Sequence, residues 1–494
     1  MKMQDGKIIQ TNNGTIIVPY QKNSLRDLIR STSSFDKVYH KRNEVTGFQI
    51  EYKGEPAFLT HNLNSNYIQN MVPTYQLEKM KMNHITRTLE DFELNHDITP
   101  TEVQYSIIDD IMKDINANNS KPYEWFVNLQ TGYGKTLLSV YLASVIKYKT
   151  LIMCFSTDIL KQWIKTIKEM STFNSKRLLL INDSQILKSI YEKTFPVENF
   201  DIYMCTPKLL TSYGNKHGYD KLYEIFDTIG IGLKIFDEAH RNKANLVKIN
   251  ALTNVKYSIY LSADYAQGDS REEKMYFAIF NNCKIIRPDE KYVKDMRYTK
   301  AIVVEFNTNP DLLHVESIFN RYGFSSQYYI NYEFENGLII KVINYIIDYI
   351  NKINDNGHKI LILMTYIKHV DLMYDILTKR YSDQHNIGRF HSQVPEEEKE
   401  FTKTNSDIIV STYSSFGTGI DVHDIKYVIS LNQCNKIEDN QAAGRARPLK
   451  DGTDAVYFML VDYGFPYCKK KLKIRLSYLQ STKIKEVFHL KYQI

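Results

Sequence analysis

Short apolar runs alternate with amphipathic segments through the central part of the chain. The runs have the length of buried strands, and turn residues follow them. They are Tyr123–Leu129, Thr150–Phe155, Asp201–Cys205, Ile229–Phe236 and Tyr257–Leu261. The segments between them have helical character, and Leu137–Ile146 contains neither glycine nor proline. This pattern predicts an α/β domain at residues 96–265, with a parallel sheet that is covered on both faces.

The same alternation returns in the C-terminal half of the chain. The predicted strands there are Lys359–Met364, Asp407–Val410, Tyr427–Leu431 and Ala455–Val461. They predict a second α/β domain at residues 336–465. Residues 266–335 break the alternation and are predicted to be a linker or insertion. Residues 466–494 are predicted to form a basic helix whose leucine stripe, Leu472, Leu476 and Leu479, serves packing.

The first 95 residues show a different pattern. Two β-branched runs surround Asn12-Asn13-Gly14 within Lys7–Tyr20, and a second pair of runs lies within Phe48–Leu59. These features predict two hairpins in a small α+β accessory domain at residues 1–95. Basic residues are spread through this region. It either grips duplex nucleic acid or is simply a solvated domain, and the sequence leaves both interpretations open.

Composition limits the class of protein. The chain has 494 residues, 43% of them hydrophobic, and its 63 basic against 57 acidic side chains give a net charge of +6. This balance permits a local basic groove without making the whole protein basic. The five cysteines form no CxxC pair, which argues against a disulfide framework or a zinc site. Without an apolar leader or an apolar run of membrane-spanning length, we expect a cytoplasmic protein, and we expect a monomer.

A glycine-containing loop follows the first strand of the first α/β domain. Its residues are Thr131, Gly132, Tyr133, Gly134, Lys135 and Thr136. A strand, such a turn and a helix together form a phosphate cradle, because backbone N–H groups and the positive end of the helix face the anion. Lys135 is placed to reach the β- and γ-phosphates, and the Thr136 hydroxyl to ligate Mg²⁺.

Carboxylates follow another strand of the same sheet. Asp237 and Glu238 come directly after Ile229–Phe236, and the carboxyl ends of parallel strands are where open α/β sheets bind ligands. Upstream, Thr99, Pro100 and Glu102 have the spacing of N-cap, N1 and N3 in a capping box that would open a helix. Gln104 lies in the first turn of that helix.

The order of these segments resembles the motif order of the superfamily 2 helicases and translocases over residues 97–465. In chain order the matching segments are Gln104 (Q motif), 131–136 (motif I), 155–163 (Ia), 206–207 (Ib), 237–240 (II, DEAH), 262–264 (III), 411–421 (V) and 441–447 (VI). The resemblance implies two RecA-like domains in tandem and an enzyme that uses ATP and Mg²⁺.

The resemblance also implies roles for single residues. Lys135 would hold phosphates, Thr136 and Asp237 would hold Mg²⁺, and Glu238 would orient and deprotonate the attacking water. Arg445 and Arg447 would act as arginine fingers. The other implied nucleotide-binding residues are Gln104, Thr131, Gly132, Tyr133, Gly134, Gly419, Asp421 and Gln441. Those implied to contact nucleic acid are Thr157, Thr206, His391 and Thr412, and those implied to couple the two ligands are His240 and Ser262.

Three positions depart from the pattern of this superfamily. Leu129 stands where motif I begins with a small residue, and Asp264 stands where motif III has threonine. In motif VI the second arginine, Arg447, comes one residue early and is followed by Pro448. Arg445 is therefore the better candidate for the finger.

Three functions are compatible with these motifs. The first is an ATPase that moves along DNA and unwinds or remodels it, like the phage and viral helicases that the chain most resembles. The second has the same motor acting on an RNA:DNA hybrid in a transcription complex, as a viral transcript-release helicase. The third is a nucleotide-gated clamp that does not unwind processively, and an intact Glu238 and Arg445 argue for turnover instead.

Overall fold

The computed structural model describes residues 6–36, 41–44, 46–61, 63, 65–88, 90–117, 122–129, 133–239, 243–262, 276, 279–288, 297, 299–309, 317–320, 323–353, 358–416, 422, 424–431, 439, 442–446, 449 and 452–492. The chain divides into two compact units, Met1–Pro288 and Asp289–Ile494. No helix in the described part of the chain combines the length and hydrophobicity that a membrane span requires.

The first unit begins with a mixed sheet of five strands. Its strands and helices are Lys7–Gln10 (β1), Gly14–Val18 (β2), Arg26–Ser31 (α1), Gly47–Tyr52 (β5), Glu55–His61 (β6), Ser65–Met71 (α2) and Gln76–Lys79 (β7), and a separate ribbon is formed by Ser33–Asp36 (β3) and Lys41–Glu44 (β4). The strand order is β5-β6-β2-β1-β7, antiparallel except for β1 and β7. Both predicted hairpins are confirmed.

The α/β part of the first unit is a parallel sheet of seven strands. Its strands are Tyr123–Asn128 (β8), Thr150–Met153 (β9), Leu178–Leu180 (β10), Ile202–Cys205 (β11), Leu233–Phe236 (β12), Tyr257–Ser262 (β13) and Lys284–Ile286 (β14). Its helices are Glu102–Ala117 (α3), Lys135–Ile146 (α4), Thr157–Met170 (α5), Ser184–Tyr191 (α6), Pro207–His217 (α7), Asp220–Ile229 (α8) and Lys243–Asn250 (α9), with 3-10 turns at Ser175–Arg177 and Val197–Asn199. The order is β10-β11-β9-β12-β13-β8-β14. The predicted covered parallel sheet is confirmed.

The capping box before α3 differs from the prediction. The helix starts at Glu102, two residues later than expected, and its cap is Thr101. The Thr101 hydroxyl accepts a bond from Gln104 N–H at 3.3 Å, and Gln104 Oε1 accepts one from Thr101 N–H at 2.8 Å. The sequence offers two overlapping capping boxes, 99–102 and 101–104. The structure forms the second, because Thr101 and Gln104 exchange two hydrogen bonds.

The N-terminal sheet packs against the α/β sheet domain. Apolar side chains on one of its faces, such as Ile16 and Leu59, belong to the same hydrophobic core as Phe126 and Leu246. Its other face has a small core of its own, built with α1 and α2. A Cβ on Gly14 would lie 2.4 Å from Ala251 Cβ, so this contact requires glycine. Shared burial therefore holds the accessory sheet on the first α/β domain.

The second unit contains another parallel sheet of seven strands. Its strands are Thr299–Phe306 (β15), Lys359–Met364 (β18), Ile387–Phe390 (β19), Ile408–Thr412 (β20), Ile425–Ser430 (β21), Ala455–Asp462 (β22) and Ile484–Lys491 (β23), and Phe319–Asn320 (β16) pairs with Gly323–Phe324 (β17). Its helices are Ser326–Glu335 (α10), Leu338–Lys352 (α11), Ile367–Tyr381 (α12), Glu396–Asn405 (α13), Tyr413–Phe416 (α14) and Pro466–Thr482 (α15). The order is β19-β20-β18-β21-β22-β15-β23.

Two strands of this sheet lie outside the range predicted for the second domain. Thr299–Phe306 falls in the predicted linker, where one apolar run stands alone in a charged, tyrosine-rich stretch. Ile484–Lys491 corrects the prediction of a helix through residues 466–494, because the helix ends at Thr482 and an edge strand follows. That strand alternates poorly, since an edge strand keeps much of its surface in water. The leucine stripe of the preceding helix does pack, and Leu479 is fully buried.

A buried polar network lies inside the second unit. Asp462 accepts bonds from the Tyr329 hydroxyl at 2.8 Å and from Thr308 N–H at 3.0 Å. The Thr308 hydroxyl lies between Asp462 and Glu333, 2.8 Å from Glu333 Oε1. Both carboxyl groups are fully buried. Burial raises the pKa of Glu333 to about 8, and the charge of Asp462 adds to this effect.

This network predicts a pH-dependent stability. Folded Glu333 keeps its proton up to about pH 8, whereas the unfolded chain loses it near pH 4.5. The contribution of Glu333 to the free energy of unfolding is therefore fully present below pH 4.5 and is lost as the pH rises through 8. We expect Glu333→Gln to remove on the order of 3 kcal/mol of pH dependence in the free energy of unfolding. Urea unfolding near pH 5 and pH 8 measures this, with the exposed Glu335→Gln of the same helix as control. Equal pH dependence in both variants would contradict the assignment.

Candidate nucleotide and nucleic-acid site

The candidate phosphate site is built where β8 turns into α4. The helix begins at Lys135, and its N-cap Gly134 has left-handed backbone angles, with φ 70° and ψ 40°. Glycine adopts this conformation at little cost, so the chain can turn sharply into the helix. The turn leaves Lys135 and Thr136 in the first turn of α4, at the positive end of the helix. Leu129, the departure from motif I, is fully buried, and its N–H donates to Ser262 O at 3.0 Å.

Lys135 and Glu238 meet at the carboxyl edge of the sheet. Lys135 Nζ lies 2.7 Å from Glu238 Oε1, and their side chains are 10% and 15% exposed. The structure thus brings together two residues far apart in sequence that the motifs assigned to phosphate binding and to water activation. Low exposure strengthens their attraction compared with a surface ion pair.

The backbone around Glu238 is fixed in a strained conformation. Glu238 has φ 50°, in the left-handed region that a residue with a Cβ adopts at a cost of about 1 kcal/mol. Its neighbours are anchored to both adjacent strands, because Asp237 N–H donates to Met153 O and Ala239 N–H to Leu261 O, each at 2.9 Å. These anchors direct the Glu238 side chain toward Lys135.

Both carboxylate oxygens of Asp237 accept hydrogen bonds. Oδ1 accepts from Glu238 N–H and Oδ2 from the Trp163 indole N–H, each at 2.9 Å. Burial raises the pKa of Asp237 and the nearby Glu238 charge raises it further, while Lys135 and the Trp163 bond oppose this shift. The hydrogen bonds from Glu238 N–H and the Trp163 indole therefore fix the orientation of the Asp237 carboxylate.

Gln104 contacts the phosphate loop directly. Its Nε2 donates to Tyr133 O at 3.0 Å and to Gly134 O at 3.2 Å, while Oε1 is engaged in the capping box. A Cβ on Gly134 would lie 2.3 Å from Gln104 Nε2, so a side chain at this position would displace the Gln104 amide. The adenine contact that the resemblance implies for Gln104 stays a prediction. In this structure the amide supports the loop that precedes Lys135.

The side chains at this edge suit a nucleotide and Mg²⁺. A lysine ammonium at a helix N-terminus suits phosphate oxygens, and a hydroxyl with one carboxylate suits Mg²⁺, which usually keeps several waters and takes substrate phosphates as ligands. Among the residues that the structure describes, no three His, Cys, Asp or Glu side chains are grouped to hold a metal ion.

Two of the residues implied to contact nucleic acid begin helices of the first unit. Thr157 is the exposed first residue of α5, and Ser156 caps that helix by accepting a bond from Ile159 N–H. Thr206 caps α7, accepting from Leu209 N–H at 3.3 Å. Ser262, implied to couple the two ligands, is fully buried at the end of β13. Thr157 is thus the first residue of its helix, whereas Thr206 is the N-cap of its own.

The candidate residues of the second unit are mostly buried. His391 lies 3.0 Å from Asp371 through its Nε2 and is 3% exposed, and Arg445 is 5% exposed. The Thr412 hydroxyl caps the short helix α14 by accepting from Ser415 N–H at 3.1 Å. His391 and Thr412 thus have structural partners within their own unit, and contacts of these residues with nucleic acid stay predictions.

Several predicted positions lie outside the described residues. They are Thr131, Gly132, His240, Asp264, Gly419, Asp421, Gln441 and Arg447.

The motifs did not predict two side-chain contacts that the structure shows at these sites. Trp163 bonds Asp237, and Asp371 bonds both His391 and Arg389. The sequence offered a signal only for Trp163, which ends the segment 155–163 that resembles motif Ia. The position of Asp371 depends on how α12 packs beside β19, which local patterns do not reveal.

Two protein families match two separate parts of the chain. Residues 97–266 match the family described as Type III restriction enzyme, res subunit. Residues 340–448 match the helicase conserved C-terminal domain. The matched ranges contain the Lys135–Glu238 site and Arg445, respectively.

Viral and phage proteins are similar over much of the chain. A putative ATP-dependent RNA helicase of Acanthamoeba polyphaga mimivirus is 23% identical over 462 residues, which cover 91% of this chain and 81% of that protein. The transcript termination protein A18 of Yaba-like disease virus is 24% identical, covering 69% of this chain and 68% of that protein. The probable helicase D10 of Escherichia phage T5 is 23% identical, with coverage of 66% and 65%.

A solved structure supports the fold. The structure of Mss116p bound to ssRNA and AMP-PNP aligns with a TM-score of 0.54 and 16% identity, covering 80% of this chain and 75% of that one. At this identity the likeness concerns the fold alone, and it confirms two RecA-like domains in tandem. The two family matches, over residues 97–266 and 340–448, support a superfamily 2 helicase.

Proposed function

We propose that this protein hydrolyses ATP to move along DNA and to unwind or remodel it. The observation that carries the proposal is the contact of Lys135 with Glu238 at 2.7 Å, beside the oriented Asp237 carboxylate. Phosphoryl transfer needs a cation on the phosphates, a metal ligand and a group that orients water. The three side chains supply these functions within one edge of the sheet.

Each residue has a defined part in the proposed reaction. Lys135 and the amides at the start of α4 bind the phosphates, and Thr136 and Asp237 hold Mg²⁺. When bound, Mg²⁺ supplies positive charge against the phosphate oxygens. Glu238 orients the attacking water and takes its proton, which requires that its ion pair with Lys135 give way to Lys135–phosphate contacts. Arg445 stabilises the charge that develops in the transition state.

DNA is the proposed track, with an RNA:DNA hybrid as the alternative. The resemblance of the motifs to phage and viral DNA helicases supports DNA. Similarity to a transcript termination protein and to a putative RNA helicase supports the hybrid. A clamp without turnover is the weaker proposal, because the chain keeps both Glu238 and Arg445, which argue for turnover.

The proposal predicts ATPase activity that nucleic acid stimulates. We expect single-stranded or forked DNA to stimulate phosphate release most, in a panel that also contains duplex DNA, RNA and RNA:DNA hybrid. Strongest stimulation by the hybrid would favour the alternative.

We expect Lys135→Ala to weaken nucleotide binding by about 100-fold, since bonds to charged groups contribute up to about 3 kcal/mol.

A matched control is available on the same helix. Lys147, at the other end of α4, pairs with Asp91 at 3.0 Å on the surface. Lys147→Ala should bind nucleotide like the unmodified protein. Undiminished nucleotide affinity in Lys135→Ala would contradict the assigned cradle, and no stimulation by any nucleic acid would refute the motor.

A further inference from the structure

The chain contains two tryptophans, and both donate to a carboxylate. Trp125 Nε1 lies 2.9 Å from Asp114 Oδ2, and Trp163 Nε1 lies 2.9 Å from Asp237 Oδ2. Both indoles are buried, at 0% and 2% exposure. The carboxylates differ, because Asp114 also pairs with Lys284 at 2.8 Å near the surface, whereas Asp237 belongs to the proposed metal site.

Trp163 joins the Asp237 site to a helix that begins at a predicted nucleic-acid contact. It lies on α5, about two turns after Thr157, the first residue of that helix. Ile159, Leu160 and Ile167 of the same helix are buried with it, so α5 is held as one rigid element. A movement at the start of α5 therefore also moves the indole N–H that Asp237 accepts.

We propose that Trp163 is a positioning residue that couples nucleic-acid contact at the start of α5 to the orientation of the Asp237 carboxylate. The inference rests on the proposed function, since it assigns Asp237 to Mg²⁺ and Thr157 to nucleic acid. A hydrogen bond from a neutral donor to a buried carboxylate is strong and directional, so it transmits small shifts. The bond acts on the metal ligand, and Trp163 itself touches no substrate.

The kinetic test compares Trp163→Phe with Trp125→Phe. Each change removes a buried indole and one N–H to carboxylate bond, but only the first bond reaches the ATP site. We expect Trp163→Phe to lower kcat at saturating DNA about 10-fold or more while KM for ATP changes less than about 3-fold. We expect the ratio of DNA-stimulated to unstimulated turnover to fall as well. Trp125→Phe should keep both values near those of the unmodified protein.

A spectroscopic test reads the same bond without turnover. In Trp125→Phe the only indole is Trp163. Because its N–H donates to Asp237, its emission should change when Mg²⁺ and a non-hydrolysable ATP analogue are added. It should change again when single-stranded DNA follows. In Trp163→Phe the remaining Trp125 should not respond to either addition. Thermal melting of both variants checks that the fold is kept.

A second variant covers the case in which Trp163→Phe fails to fold. Benzothienylalanine at position 163 keeps the bicyclic shape and replaces the N–H by sulfur, so a kinetic loss there reports the hydrogen bond. Two outcomes overturn the proposal, provided that DNA stimulates the unmodified protein. One is an unchanged ratio of DNA-stimulated to unstimulated turnover in a folded variant at position 163. The other is a Trp163 emission that changes with neither the nucleotide analogue nor DNA. Absence of stimulation in the unmodified protein overturns the proposed function instead.

Discussion

Glu238→Gln is expected to bind ATP and DNA and yet to hydrolyse ATP about 10²–10⁴-fold more slowly. The amide keeps the size of the side chain but cannot accept the proton of the attacking water. Nucleotide binding should not weaken, because the substitution also removes the negative charge that lies 2.7 Å from Lys135. Single-turnover phosphate release, with nucleotide affinity measured separately, distinguishes the two effects.

The matched control for this prediction is Glu78→Gln. Glu78 pairs with Lys7 at 2.6 Å, but both side chains are more than 40% exposed. Surface ion pairs contribute about 0–1 kcal/mol, so the variant should behave like the unmodified protein. A normal kcat in Glu238→Gln would remove Glu238 as the base and would transfer water activation to another group.

The strand and helix pattern was predicted well where burial is continuous. Runs such as Leu233–Phe236 and Ile425–Ser430 are buried at every position, so any reading of apolar content finds them. The edge strand Ile484–Lys491 was missed because water covers much of it. The single strand Thr299–Phe306 was missed because its partners, β22 and β23, are distant in sequence.

The candidate site divides in the same way. Lys135, Asp237 and Glu238 were predicted because each follows a strand, and parallel strands end at one edge of a sheet. The contacts of Gln104 with the loop carbonyls and of Trp163 with Asp237 were not predicted. They depend on side-chain directions across neighbouring helices and strands, which motif spacing does not encode. The left-handed backbone of Glu238 likewise results from bonds to two other strands.

The segment that carries Arg445 is fixed on both sides within the second unit. Ala442, Ala443 and Ala446 are buried against the core, which small side chains permit. Upstream, the fully buried Asp439 accepts from the Tyr457 hydroxyl at 2.6 Å and from Arg475 NH2 at 2.7 Å. A buried pair of this kind is best understood as fixing a conformation, since its net contribution to stability is small. Arg445 therefore extends from a rigid backbone.

Arg445→Ala is expected to lower ATP hydrolysis about 10³-fold or more with little change in ATP affinity. An arginine finger contacts charge that develops only in the transition state, so its loss reduces kcat rather than ground-state binding. Arg445→Lys should recover only part of the rate, because lysine keeps the charge without the planar fork. Arg380→Ala, which removes a surface arginine paired with Asp348 at 2.9 Å in the same unit, is the control. Unchanged turnover in Arg445→Ala, with retained ATP binding, would assign the finger to Arg447.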